Sequence, residues 1–236
     1  MEALDLSVVI PAYNEEKRIR KTISKVHAYL ENKNISFEII VVDDGSIDST
    51  RVIVSSMISK FPNIKLIVHS KNAGKGGAVQ TGVLSAKGKM VLVSDADLST
   101  PVSELEKMEH FISEGYDIVI ASRKLKDSVI PVPQPWHRKL SGWVFQFFVR
   151  QILRLPFSDT QCGFKLFKRE VAKKIFPNLK HKGFIFDVEI LFRAVHLNYR
   201  IKEVGVIWMN SPYSTVRFFR DSIRMFIDLI KIRFGK

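Results

Sequence analysis

An α/β domain built on a mainly parallel, mixed sheet flanked by helices is the fold class the sequence predicts, and three observations predict it. Apolar runs of strand length recur along the chain: VVI (8–10), IIVV (39–42), MVLV (90–93) and IVIA (118–121). Unbroken apolar runs suit strands covered on both faces. Between them lie stretches with apolar residues at helical spacing, the alternation that builds βαβ units. Polar segments rich in glycine or aspartate follow the strands, and in an open α/β sheet ligands bind at the carboxyl ends of the strands.

Composition bounds what such a domain can be. The 236 residues suffice for one well-cored domain spanning 1–236, and a division into two is not expected. A hydrophobic share of 46% and a mean hydropathy of +0.03 exclude a disordered chain. The single cysteine, Cys162, rules out an internal disulfide framework and fits a reducing compartment. The N-terminal MEALDLSVVI lacks a basic region and runs straight into a strand, so no signal peptide is expected. No apolar run reaches the roughly 18–20 residues that span a bilayer. The longest candidate, 143–155, is interrupted by Arg150 and Arg154. A net charge of +13 calls for anionic partners. Zinc-finger spacing and RNP-type aromatic motifs are both missing, and the carboxylate-rich centre would repel a nucleic-acid backbone. Nucleic acid is therefore disfavoured against lipid or phosphorylated partners.

Taken in order, LSVVI (6–10) reads as the first strand and 11–16 as the turn after it. Asn14 there is expected to cap a helix whose first turn carries Glu15 and Glu16 and whose core face is Ile19, Ile23, Val26 and Leu30. FEIIVV (37–42) forms the second strand and ends in Asp43, Asp44 and Gly45. Ser46 or Asp48 is placed to cap the next helix. A third strand, IKLIVH (64–69), leads into a loop whose glycines let a ligand approach the backbone and whose Lys75 adds a cation. Gly76 follows the lysine where a Walker A loop needs Ser or Thr, and Val79 spoils the G-x-G-x-x-G spacing. That loop alone therefore supports neither an ATPase nor a dinucleotide-binding reading.

Residues 90–101, MVLVSDADLSTP, organise the chain. The strand 90–93 delivers Asp95 and Asp97 to its carboxyl edge, and Pro101 starts the helix that follows. Two close carboxylates are costly unless a positive charge lies between them, and a hard divalent cation carrying a diphosphate satisfies both. DIVIAS (117–122) is the next strand and ends at Arg123. After a stiff proline-rich segment (130–135), Leu140, Trp143, Val144, Phe147, Phe148, Ile152 and Leu155 follow helical spacing. Phe145 and Val149 widen that apolar arc beyond what one core needs. A strand near 165–168, a helix near 186–197, a strand near 203–208 and a basic amphipathic helix from 215 to 234 complete the chain.

Together these residues resemble family 2 glycosyltransferases of the GT-A (Rossmann-like) fold. The likeness runs through VVIPAYNEE (8–16), VVDDGSIDST (41–50), NAGKGGAV (72–79), DADLSTP (95–101), ASR (121–123), DTQCGFKLF (159–167) and FDVEIL (186–191). Within the family the chain is similar to polyprenyl- and dolichyl-phosphate glycosyltransferases, and the last two motifs point to the β-glucosyl branch. The resemblance implies inverting transfer of a hexose, from a UDP-sugar such as UDP-glucose, to a polyprenyl or dolichyl phosphate.

It also implies site roles. Pro11, Ala12, Tyr13 and Glu15 would line the nucleotide pocket, with Gly74, Lys75 and Ala96 beside the donor, and Asp44 would bind the uracil or ribose. Asp95 and Asp97 would hold Mg²⁺ or Mn²⁺ against the diphosphate. Arg123 and Arg138 would handle phosphates, and Asp159 and Gln161 would face the sugar. The branch's Gly-Ser-Lys-Leu is replaced here by Tyr213-Ser214-Thr215-Val216, leaving Arg217 as a candidate for the missing lysine. The N-terminal membrane anchor common in eukaryotic relatives is not expected.

Three alternatives stay open at this point: a soluble transferase acting on a sugar or protein hydroxyl, a GDP-mannose user, and a non-catalytic nucleotide-sugar-binding protein. The two amphipathic helices, about 137–157 and 215–236, are expected to lie on an anionic membrane surface. That would make the chain peripheral on a cytoplasmic face, with an oligomer possible.

Overall fold

The computed structural model describes residues 4–133, 135–210 and 218–235, with the backbone alone for 137, 138 and 218–224. Seven strands form one sheet: β1 (Leu6–Ala12), β2 (Phe37–Asp43), β3 (Ile64–Val68), β4 (Met90–Val93), β5 (Ile118–Ser122), β6 (Lys165–Lys168) and β7 (Ile201–Gly205). Their order is β3-β2-β1-β4-β6-β5-β7. All neighbours pair in parallel except β6, which runs antiparallel to both β4 and β5. The predicted α/β class with a mainly parallel sheet is what forms.

Helices cover both faces of this sheet. They are α1 (Ile19–Asn32), α2 (Thr50–Ile58), α3 (Lys75–Ser85), α4 (Leu105–Ser113), α5 (Trp136–Leu153), α6 (Arg169–Ile175), α7 (Phe186–His196) and α8 (Phe218–Arg233). β1 and β2 are buried along their whole lengths, as their unbroken apolar runs require. Alternate residues then serve two separate cores. Val9, Ile40, Val42 and Val91 face α3 and α7, while Val8, Ile10, Ile39 and Leu92 face α1 and α4.

Several local expectations are corrected. Asn14 caps no helix: it takes a left-handed backbone (φ 57°), its N–H donates to Ser46 Oγ, and its Oδ1 accepts from the Ile47 N–H. Residues 16–18 form a turn and α1 begins only at Ile19, so Glu15 and Glu16 precede the helix instead of occupying its first turn. Ser46 is likewise engaged by Asn14 and does not cap α2, while Asp48 holds the Thr50 N–H just ahead of that helix. α6 has no counterpart in the sequence reading, and the last strand starts two residues earlier than expected.

The wide apolar arc of α5 resolves into two faces. Val149 and Leu153 are buried and Phe145, Phe148 and Ile152 pack on the core, whereas Trp136 (75% exposed), Leu140, Trp143 (64%) and Phe147 lie open. α8 packs beside it, with Leu229 and Ile232 buried and the Phe148 and Phe226 rings edge to face at 5.0 Å. Phe226, Ile227 and Ile230 of α8 remain exposed. No helix among the described residues is long and apolar enough to cross a membrane.

Candidate active site

The sheet order sets the site. β2 and β3 lie on one side of β1 and β4 on the other, so the order in which strands are added reverses at the parallel β1–β4 pair, the place where an open sheet leaves a crevice at the carboxyl ends. Pro11 and Ala12 end β1, Asp43 ends β2 with Asp44 after it, Ser94 to Asp97 follow β4, and Arg123 follows β5. Because β6 runs antiparallel, its first residue, Lys165, lies beside Val93 and Ile120. The segment 159–164 is thereby delivered to the same rim.

On the β1–β2 side, the Asp44 N–H donates to the Ala12 carbonyl at 2.8 Å. The Asp44 carboxylate is buried and accepts from the Ala73 and Gly74 N–H groups at 2.8 and 2.9 Å, which fixes the glycine loop to the end of β2. His69 joins through Nδ1 at 2.7 Å and reaches Thr81 Oγ1 through Nε2 at 3.0 Å. Gly74 has φ +90°, and a Cβ there would lie 2.5 Å from the Lys182 carbonyl oxygen, so both conformation and space demand glycine. Tyr13 is 40% exposed beside this loop system, and the Glu15 carboxylate pairs with Arg18.

At the β4 edge, Asp95 accepts from Lys75 Nζ at 2.6 Å. Burial would raise its carboxyl, but Lys75, with Lys165 and Arg123 beyond it, holds it below the usual range. The Asp95 carboxylate lies directly on Gly163, where a Cβ would approach Oδ2 to 2.1 Å. Ala96 is anchored by Thr22, whose hydroxyl donates to its carbonyl at 2.5 Å. Asp97 uses Oδ1 to accept the Ser99 N–H at 2.9 Å, and its Oδ2 lies 3.9 Å from an Arg18 Nη1. Leu98 between them has φ +48°, a conformation costing a non-glycine residue roughly 1–3 kcal/mol.

These residues fit a hard divalent cation. Asp97 offers an oxygen at the open edge, and diphosphate oxygens are ligands of the same hardness. Among the described residues no group of three or more His, Cys, Asp or Glu side chains could hold a metal ion. A cation here would therefore draw most of its ligands from the bound molecule.

Beneath Asp95 lies a buried ion pair. Lys165 Nζ donates to Asp187 Oδ1 and to the Cys162 carbonyl, each at 2.5 Å, with both side chains at 5% exposure or less. Burial pushes the Asp187 carboxyl above its usual range, against the pull of Lys165 and Lys75.

On the β5 side, Arg123 grips Asp159 in a fork, Nε to Oδ2 at 2.6 Å and Nη2 to Oδ1 at 2.8 Å, and its backbone N–H adds a third bond at 3.1 Å. The Trp208 ring centre lies 5.5 Å from the guanidinium. Burial opposes the charge on both partners, yet each holds the other ionised, Arg123 above and Asp159 well below the ordinary value. The guanidinium is a fixed cation at the rim.

The structure thus gathers Pro11, Ala12, Tyr13, Glu15, Asp44, Gly74, Lys75, Asp95, Ala96, Asp97, Arg123, Asp159 and Gln161 around one crevice. Asp44 and Asp159 are committed to backbone and arginine partners within the protein. Arg217 and 213–216 lie outside the described residues, as does the side chain of Arg138. Sequence reasoning missed Arg18, His69 and the Lys165–Asp187 pair. Arg18 alone carried a local signal, its i+3 spacing from Glu15.

Comparison with known proteins agrees with this geometry. The family model "Glycosyl transferase family 2" matches residues 7–176. A dolichyl-phosphate beta-glucosyltransferase of Dictyostelium discoideum is 41% identical over 97% of this chain and 74% of its own length. The enzymes of that name from Homo sapiens and Saccharomyces cerevisiae are 34% and 36% identical, over 97% and 98% of this chain and 74% and 75% of theirs.

Among solved structures, mannosyl-3-phosphoglycerate synthase from Rubrobacter xylanophilus superposes with a TM-score of 0.70 at 21% identity, covering 97% of this chain and 72% of that one. Glucosyl-3-phosphoglycerate synthase from Mycobacterium tuberculosis, solved with Mn²⁺, UDP and phosphoglyceric acid, gives 0.71 at 18% identity, covering 98% and 79%. These two show that the fold is GT-A. The crevice at the switch point, the family model and the sequence relatives agree: the chain is a hexosyltransferase belonging to glycosyl transferase family 2, and it groups with the dolichyl-phosphate β-glucosyltransferases.

Proposed function

We propose that this chain transfers glucose from UDP-glucose to dolichyl phosphate or a related polyprenyl phosphate, with inversion, assisted by Mg²⁺ or Mn²⁺. The observation that carries the reading is the shared rim, where Asp95, Asp97 and the glycine loop lie at the same end of the sheet as the Arg123–Asp159 pair. The glucosyl and dolichyl-phosphate parts take support from the activity in the names of the sequence relatives.

Each group has a task in this reading. Pro11 to Tyr13 and the loop held by Asp44 receive the nucleotide. Asp97 would hold the divalent cation, which when bound would supply Lewis-acid stabilisation of the leaving diphosphate. Lys75, anchored on Asp95, adds a positive charge on the same side. The acceptor's second phosphate pKa is about 6, so near pH 7 the nucleophile is already an anion and a strong general base is unnecessary. It needs cationic positioning instead. Arg123 spends its Nε–H and one Nη2–H on Asp159, which leaves the far edge of its five-donor fork for a phosphate. Arg138 at the start of α5 and Arg217 are further cations for donor or acceptor phosphates. The exposed aromatic face of α5 and α8, with Lys139, Arg150, Arg154 and Lys231 around it, docks the chain on an anionic bilayer that carries the acceptor.

The test uses radiolabelled UDP-glucose or GDP-mannose with dolichyl phosphate in detergent, followed by organic extraction. Label should reach the lipid from UDP-glucose in Mn²⁺, and EDTA or Asp97→Asn should abolish transfer. Transfer from GDP-mannose alone would overturn the donor, transfer only to a soluble hydroxyl would overturn the acceptor, and full activity in EDTA would overturn the metal.

A further inference from the structure

Arg123 is useful only if its free edge points into the crevice, and its direction is set by Asp159. The Asp159 carboxylate fixes one edge of the guanidinium and the Trp208 indole lies against its face. Asp159 itself lies on the segment joining α5 to β6, where each residue ordered costs about 1–2 kcal/mol in backbone entropy. Something must hold that segment still.

Two side chains do so from opposite sides. Glu203, on β7, accepts the Asp159 N–H through Oε1 at 2.7 Å and the Ser158 N–H through both oxygens at 3.0 and 2.9 Å. Gln146, on the inner face of α5 and 6% exposed, donates Nε2–H to the Phe157 carbonyl at 2.8 Å. Its Oε1 accepts from the Thr160 hydroxyl at 3.1 Å. The turn is thus gripped at 157 and 160 by one amide and at 158 and 159 by one carboxylate. Neither residue faces the crevice chemistry. Gln146 lies on the same helix as the exposed Trp143 and Phe147.

We propose that Glu203 and Gln146 are positioning residues: they lock the 157–160 turn so that Asp159 aims Arg123 at the acceptor's phosphate. The proposal rests on the reading that Arg123 receives that phosphate. It makes α5 a mechanical part of the site, since displacement of α5 would carry Gln146 away from the turn.

Calorimetry on the full chain tests it with citronellyl phosphate, a short soluble prenyl monophosphate, and separately with UDP-glucose. Variants are Glu203→Gln, which turns an N–H toward an N–H, and Gln146→Met, similar in shape and unable to bond; Arg123→Lys is the reference. Each of the first two should weaken citronellyl phosphate about tenfold, the scale of one lost hydrogen bond to a charged group, and leave UDP-glucose within about twofold. The thermal midpoint checks folding, and the Glu203→Gln result stands if Gln146→Met fails to fold. If Arg123→Lys weakens citronellyl phosphate and Glu203→Gln does not, the positioning role is wrong and the phosphate reading survives. Equal weakening of both ligands by Glu203→Gln would mark a merely structural role and overturn the proposal. If Arg123→Lys leaves citronellyl phosphate unaffected, or the unsubstituted chain does not bind it, the phosphate reading fails and the proposal with it.

Discussion

Replacing Lys165 by Met probes the pair on which the β4 edge rests. Lys165 and Asp187 are 1% and 5% exposed and 2.5 Å apart, so neither charge has water to fall back on. Removing one partner of such a pair costs about 3–5 kcal/mol, because the other stays buried and uncompensated. For a chain of this length each kcal/mol moves the thermal midpoint by about 2–4 °C, which predicts a fall of roughly 6–20 °C. Asp187→Leu should do similar damage. The double variant should recover most of the loss, since two apolar side chains of similar volume replace two charges. The loss should also depend on pH. Burial already holds the Asp187 carboxyl above its unfolded value, and without Lys165 it rises further. A group raised in the fold contributes stability below its unfolded pKa and loses it as pH rises through the folded one. Lys165→Met should therefore be closer to wild type at pH 5 than at pH 7. Urea unfolding of the four proteins at both pH values is the assay. A double variant as unstable as the sum of the singles, or a penalty independent of pH, would refute the argument.

Two further outcomes follow from the same geometry. Gly163→Ala puts a Cβ 2.1 Å from Asp95 Oδ2 and must displace that carboxylate, so glucosyl transfer should fall by at least about tenfold while the far-UV dichroism stays native; unchanged kcat would show that Asp95 needs no fixed place. Trp143→Ser with Phe147→Ser, both exposed, should leave the thermal midpoint within a few degrees yet sharply reduce co-sedimentation with anionic vesicles, and added salt should weaken what binding remains; binding that ignores both the substitutions and salt would remove α5 from the membrane contact.

Most of the rim was legible in the sequence because its determinants are local. Asp95 and Asp97 follow a four-residue apolar run, and two residues of spacing after a strand end are enough to place them at its edge. The rest was set by partners distant in the chain. Asn14 has the chemistry of a helix cap, but Ser46 and Ile47, more than thirty residues away, capture it in a left-handed turn. The direction of β6 cannot be read from KLFK, since periodicity is the same for either sense; it follows from the path of the chain out through α5 and back. Gln146 was hidden within an apolar arc, and Glu203 looked like the ordinary start of a strand. Their roles appear only when the 157–160 turn is laid between α5 and β7.

The arrangement of charge around the crevice explains why a chain of +13 devotes so many acids to its centre. Asp95, Asp159 and Asp187 each have a cation at 2.5–2.6 Å, in Lys75, Arg123 and Lys165. Each of these pairs fixes two side chains in direction, so little reorganisation is left for the moment of reaction. Asp97 is held differently. Its nearest cation among the described residues is Arg18 at 3.9 Å, and Arg18 is already drawn to Glu15. It is therefore the carboxylate of the four whose charge is least neutralised by the protein, and it sits on a strained turn at the open edge. In the proposed reading Asp97 would hold a divalent cation, which would supply the charge that the protein does not. The tight pairs hold the frame of the site still, and the loosely paired acid is the one with charge to spend on a ligand.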